Sequence, residues 1–217
     1  MDQIRIFQIS EILCLLTGIL VINKIKKSVF FFFVPYMVIV VFVDIIANYL
    51  PLKINGSNQW LFNLYLPIQN LFFSFVFYFS LNRRSAKNLV IIGLVLFLLF
   101  YFSNLFFIQG FWEFNNYSFV FTAIFMIIYS GVSLLQMAKS DTSKSLYRNP
   151  LFWVSASCLI FFTGFATFFA VYFYYKTSAQ AFTQMQTLYH IMTRYIITIH
   201  YILLIFALVF AIQREQV

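Results

Sequence analysis

Long apolar runs, broken at near-regular intervals by short polar clusters, extend over the whole chain. A helix crosses the hydrocarbon core of a bilayer with about 20 mostly apolar residues. Seven runs meet that length, near 4–22, 29–50, 60–81, 89–109, 117–137, 151–175 and 186–212. The separators carry loop chemistry: lysines after Asn23, Pro51 with Gly56, two arginines after Asn82, Gly110 with Glu113, and a polar stretch ending at Pro150. Within the runs, stretches such as Val29–Val43 and Leu89–Phe102 do not alternate apolar with polar residues. Strands of a membrane barrel alternate, so a barrel is excluded. Lipid offers the backbone no hydrogen-bond partner, and continuous apolar runs must therefore be helical. The pattern predicts an all-α fold, a polytopic bundle of seven transmembrane helices in a single transmembrane domain over residues 1–217.

Composition leaves no room for a soluble domain. Of 217 residues, 63% are hydrophobic and 9% charged, against about 25% charged in soluble domains. The net charge of +8 comes from basic clusters between apolar runs. With no basic stripe or recognition motif, no nucleic-acid partner is expected. Ten of the 14 lysines and arginines fall in the first, third and fifth loops and the C-terminal tail; Arg5, Lys53 and Lys176 fall on the opposite side. Basic residues favour the cytoplasmic side, so the N-terminus is predicted outside and the C-terminus in the cytoplasm. Trp60, Trp112 and Trp153 stand near run ends, where indoles favour the membrane interface. The first run contains Glu11 and is not followed by a small-residue cleavage pattern, so it reads as a helix rather than a signal peptide.

Ionisable groups inside spans usually face the bundle interior or a cavity. Glu11, Asp44 and Arg194 are the clear cases, with His190 and His200 on the last helix. Counted from the outer ends of their spans at 1.5 Å per residue, they lie roughly 10, 9 and 12 Å deep, in one outer layer. Pairing lowers the cost of a buried charge, so Arg194 is expected to pair with Asp44, Glu11 or both. Asn48 shares a helix face with Asp44, and His190 shares one with Arg194, Thr198 and Tyr201. On the third helix Asn63, Pro67, Asn70 and Ser74 form a stripe, and Pro67 leaves the Asn63 carbonyl without its helical donor. Glu11, Asp44, Asn48, Asn70, His190 and Arg194 make up the candidate cluster for a small ligand or proton. The same residues could instead form a static ion-pair lock that orients helices one, two and seven.

His190 and His200 are ten residues apart on one helix, about 15 Å along it, and cannot share a metal ion. Cys14 and Cys158 lack metal-ligand spacing. Neither a metal nor a cofactor is expected. Zinc-protease, nucleophile-elbow and phosphate-loop motifs do not occur in the sequence, and the chain does not read as an enzyme. Similar triplets at Phe32–Val34 and Phe152–Val154, and at Asn63–Tyr65 and Thr187–Tyr189, hint at two parallel three-helix units.

The Trp60-Leu61-Phe62-Asn63-Leu64-Tyr65 opening of the third helix and Pro150-Leu151-Phe152-Trp153-Val154-Ser155 before the sixth resemble small, uncharacterised seven-span membrane proteins of Bacteroidota. The resemblance implies this fold and a multi-pass location in the bacterial inner membrane, and no activity. The expectation is a receptor-like or accessory protein that acts through a membrane partner. The alternative is a small-solute or ion transporter. The lipid bilayer is the partner that both share.

Overall fold

The computed structural model describes residues 6–49, 58–139, 146–175 and 179–215; of these, the side chains of 48–49, 172–175, 179–186 and 213–215 are outside the description. The described residues form seven α-helices: α1 (Ile6–Val21), α2 (Phe33–Tyr49), α3 (Gln59–Ser80), α4 (Arg84–Ser103), α5 (Asn116–Ala138), α6 (Pro150–Tyr175) and α7 (Ala179–Glu215). Among the described residues there is no strand. Each helix, with its adjoining helical turns where present, forms a segment long and apolar enough to cross a membrane, from Ile6–Lys24 to Thr187–Ile212.

Helix ends differ from the expected spans where polar residues are helix-competent. α4 starts at Arg84 instead of 89, because Arg84, Ser85 and Lys87 extend it beyond its apolar part. It closes in a π turn, Asn104–Ile108, in which the Gln109 N–H donates to the Asn104 carbonyl. Gly110, with φ at 80°, then takes the left-handed conformation that glycine adopts without steric cost. α7 starts at Ala179 instead of 186 and runs for 37 residues.

The helices follow one another around a ring, α1 to α7, and α7 closes on α1; α3 also reaches inward to α5. The two sides of the ring are packed differently. Along α5, α6, α7 and α1 the contacts are extensive, and small residues lie buried there: Ser130, Ser133, Ser155, Ser157, Ala207 and Ala211. In lipid, helices associate by close packing and hydrogen bonds, and small side chains let backbones approach. The Ser155 hydroxyl donates to Ser133 over 3.0 Å, tying α6 to α5. Gly18 of α1 sits where three helices converge: a Cβ there would come within 3.1 Å of Val34 and 3.8 Å of Leu208. α2 touches α3 only lightly, by contrast, and large aromatic rings fill that side; the Tyr36 and Phe72 rings stack at 3.9 Å.

The middle of the bundle is filled towards the end that carries the α1–α2 and α3–α4 loops. Phe33, Phe73 and Phe77 are fully buried there, and Phe97, Phe162, Met126 and Leu204 are fully buried nearer mid-depth. Phe73 is central, with its ring 5.7 Å from Tyr36, 6.1 Å from Phe162 and 6.0 Å from His200. Cys14 and Cys158 are buried free thiols within this core.

Candidate functional site

Polar side chains gather in two places in the half of the bundle away from this aromatic filling. The first is built around α1. Its inward stripe runs Phe7, Gln8, Ser10, Glu11, Cys14, Gly18 and Val21, the three-to-four spacing of one helical face. Glu11 is therefore held inside and is only 5% exposed. Asp44 of α2 approaches it closely enough for the two carboxyls to interact, and the Tyr201 hydroxyl of α7 points at the Glu11 carboxyl. Gln8, one turn away on α1, donates to the Asp44 carboxyl over 2.8 Å. On the α3 side, the Tyr36 and Tyr65 hydroxyls share a hydrogen bond of 2.7 Å, and Gln69 reaches Tyr36. Four helices thus contribute oxygen and amide groups around Glu11. Among the described residues, no lysine or arginine pairs with it.

The second gathering caps α3, α4 and α5. Asn63 donates to the carbonyls of Phe111 and Glu113 at 2.8 and 2.6 Å, and accepts from the Asn115 N–H at 2.8 Å. The Asn63 carbonyl, left without a helical donor by Pro67, accepts from the Tyr101 hydroxyl at 2.8 Å. The π turn of α4 swings Asn104 inward, where its amide donates to Gln109 and Ser118 at 2.8 and 3.2 Å and to Asn115. Asn115 also caps α5 by accepting from the Ser118 N–H. The buried Asn104 Oδ1 and Asn115 Nδ2 have no hydrogen-bond partner among the described residues. This network resembles a structural clasp: most of its groups are consumed in joining the α4–α5 loop to α3.

The structure brings together only part of the expected cluster. Glu11 and Asp44 meet as expected. Asn70 does not join them; it faces α5, donating to Thr122 at 3.3 Å and accepting from Ser74 at 3.4 Å. Asn48 lies in α2, but its side chain is among those outside the description. His190 and Arg194 are exposed on α7. The expected ion pair between Arg194 and Glu11 or Asp44 is not formed. The residue of α7 facing Glu11 is Tyr201, seven positions later, about 10 Å further along the axis. Arg194 sits two turns beyond the carboxyls with its guanidinium 5.9 Å from the Tyr195 ring. A long cationic side chain towards the end of a membrane-crossing segment, here Thr187–Ile212, can extend to the interface, so its charge does not need an internal partner.

Tyr36, Tyr65 and Gln69 carry no distinguishing mark among 14 tyrosines. One signal does exist: Tyr65 and Gln69 are four apart, so both face away from the Asn63–Asn70 stripe.

Ser157 and His200 form a second buried hydrogen-bonded pair, 2.6 Å from Oγ to Nδ1. Ser157 also bonds to the His200 carbonyl at 3.0 Å, and the imidazole lies against Phe161 and Tyr201 at 4.6 and 5.1 Å. Aromatic rings enclose the pair, and its geometry is that of an α6–α7 tie.

Seven membrane-crossing helices among the described residues, packed around an apolar core with local polar clusters, define a multi-pass integral membrane protein. No protein family, curated protein or solved structure matches the chain.

Proposed function

We propose that the chain is a receptor-like or accessory membrane protein, without enzymatic activity of its own, that binds a proton or a small ligand at Glu11 and acts through a membrane partner. The observation that carries this reading is the burial of Glu11 beside a second carboxyl, with no lysine or arginine paired to Glu11 itself among the described residues. An isolated buried carboxylate is costly; a bound proton or a cationic group of a ligand removes that cost. Asp44, Tyr201 and the Tyr36–Tyr65 pair supply the oxygens that would hold it. Tyr201 links occupancy to α7, and Asp44 links it to the lightly held α2.

The alternative is a transporter. A permeating solute needs polar groups on both sides of its site, and Phe33, Phe73 and Phe77 fill the route towards the basic loops. The first three helices pack loosely and the last three tightly, which gives two parallel three-helix units little structural support. Both considerations favour the receptor-like reading.

Infrared difference spectroscopy of the purified full chain across a pH titration tests the site. The wild type should show a carboxyl band that Glu11→Gln removes. Identical titrations of the two proteins would defeat the assignment. Saturable solute flux in proteoliposomes, abolished by Asp44→Asn, would favour the transporter instead.

A further inference from the structure

Between α2, α3 and α4 the loose side of the ring opens into a groove of about 620 Å³. That volume lies within the roughly 300–1,000 Å³ of ligand pockets. Its walls are apolar almost throughout. Phe32 and Ile39 line it from α2 and the turn before it, Ile68, Leu71 and Phe79 from α3, and Leu94 from α4. We propose that this groove holds an acyl chain of an anionic glycerophospholipid, whose phosphate is held by Arg83, Arg84 and Lys87.

Three observations support this occupant. The first is length. From Ile68 to Phe79 the groove follows twelve residues of α3, a rise of about 16 Å. That is about half of a 30 Å hydrocarbon core, so the groove spans one leaflet, the reach of one acyl chain. The second is charge. The groove ends at the α3–α4 connection, where Arg83 and Arg84 are exposed; Lys87 lies with its ammonium 5.4 Å from the ring of Tyr78, itself a groove residue. On the α2 side, the turn that contributes Phe32 follows Lys24, Lys26 and Lys27. Basic groups thus stand on both sides of the end where a phosphate would sit. Arginine pairs with phosphate through two parallel hydrogen bonds. The third is packing. The backbones of α2 and α3 stand apart and meet through aromatic rings, such as Phe32 and Phe75, edge-on at 5.0 Å. An acyl chain would fill the space that these separated backbones leave beside the rings. Through α2, which carries Asp44, the lipid would bear on the Glu11 site, but the lipid proposal stands independently of that site's function.

Native mass spectrometry of the full chain, equilibrated with equal amounts of phosphatidylglycerol and phosphatidylcholine, is the test. One phosphatidylglycerol per chain should be retained, in preference by about tenfold, as expected for several basic residues acting on one anionic headgroup. Arg83→Ala/Arg84→Ala/Lys87→Ala should abolish the preference, and Arg83→Lys/Arg84→Lys should keep most of it. Leu71→Trp/Leu94→Trp, which fills the groove and leaves the basic residues intact, should reduce retention of both lipids. Equal retention of the two lipids by the wild type would overturn the proposal. So would a groove-filled protein that retains phosphatidylglycerol like the wild type, or one that loses a dimer while its lipid retention is unchanged, which would assign the groove to a second copy of the chain.

Discussion

The two sides of the helical ring hold together by different means. On the α5–α6–α7–α1 side, serines, alanines and Gly18 bring backbones close, and side-chain hydrogen bonds such as Ser155 to Ser133 fasten them. On the α2–α3–α4 side, aromatic rings keep the backbones apart and leave a groove. That side is fastened at one end, by Asn63 and its partners on the α4–α5 loop. Water gives a soluble bundle a hydrophobic drive towards closure on every side, and lipid does not. A membrane bundle can therefore keep one side closed and another open at little cost. The Glu11 site lies at the junction, between closely packed α7 and loosely held α2.

The comparison can be broken most forcefully on the closed side. Ala207 is fully buried, and Ala207→Phe should lower unfolding stability in detergent by about 3 kcal/mol, the upper part of the overpacking range. Tolerance of the phenylalanine would mean that this side is not close-packed. Asn63→Ala leaves two carbonyls and an N–H without their partner and should cost about 2 kcal/mol; hydrogen exchange should then rise in the α4–α5 loop before it rises in α6. Uniform exchange would show that the asparagine is not a local clasp. Tyr101→Phe should cost about 0.6 kcal/mol, the usual size of a hydrogen bond between membrane helices. Adding Pro67→Ala, which restores a backbone donor for the Asn63 carbonyl, should shrink that cost in a double-mutant cycle; an unchanged cost would place Tyr101 elsewhere in the folded chain. The smallest effect belongs to the open side: Leu71→Phe, in the groove and 44% exposed, should stay within about 0.5 kcal/mol of the wild type. A large loss there would erase the contrast between the two sides.

The seven helices were legible because span length is a local property, read from consecutive apolar residues. Their ends were less so, since Arg84–Lys87 and the residues after Ala179 are polar yet continue their helices. The meeting of Glu11 and Asp44 followed from equal depth in adjacent helices. The same reasoning failed for Arg194, because depth was counted from an assumed end of α7, and it is Tyr201, two turns further along the same face, that stands level with the carboxyls. Asn104 illustrates a further limit. It turns inward through a π turn, which has no compositional signature comparable to an apolar run, and its partner Asn115 belongs to a loop whose path depends on Asn63, some fifty positions earlier.

The length of α7 has a mechanical consequence. Tyr201, at the Glu11 site, stands 22 residues from Ala179, about 33 Å along a single unbroken rod. A pivot of about 10° at Tyr201 would swing the far tip sideways by about 6 Å. A small adjustment around one buried carboxyl is thereby amplified into a displacement the size of a side chain, at the end of the molecule opposite the basic loops.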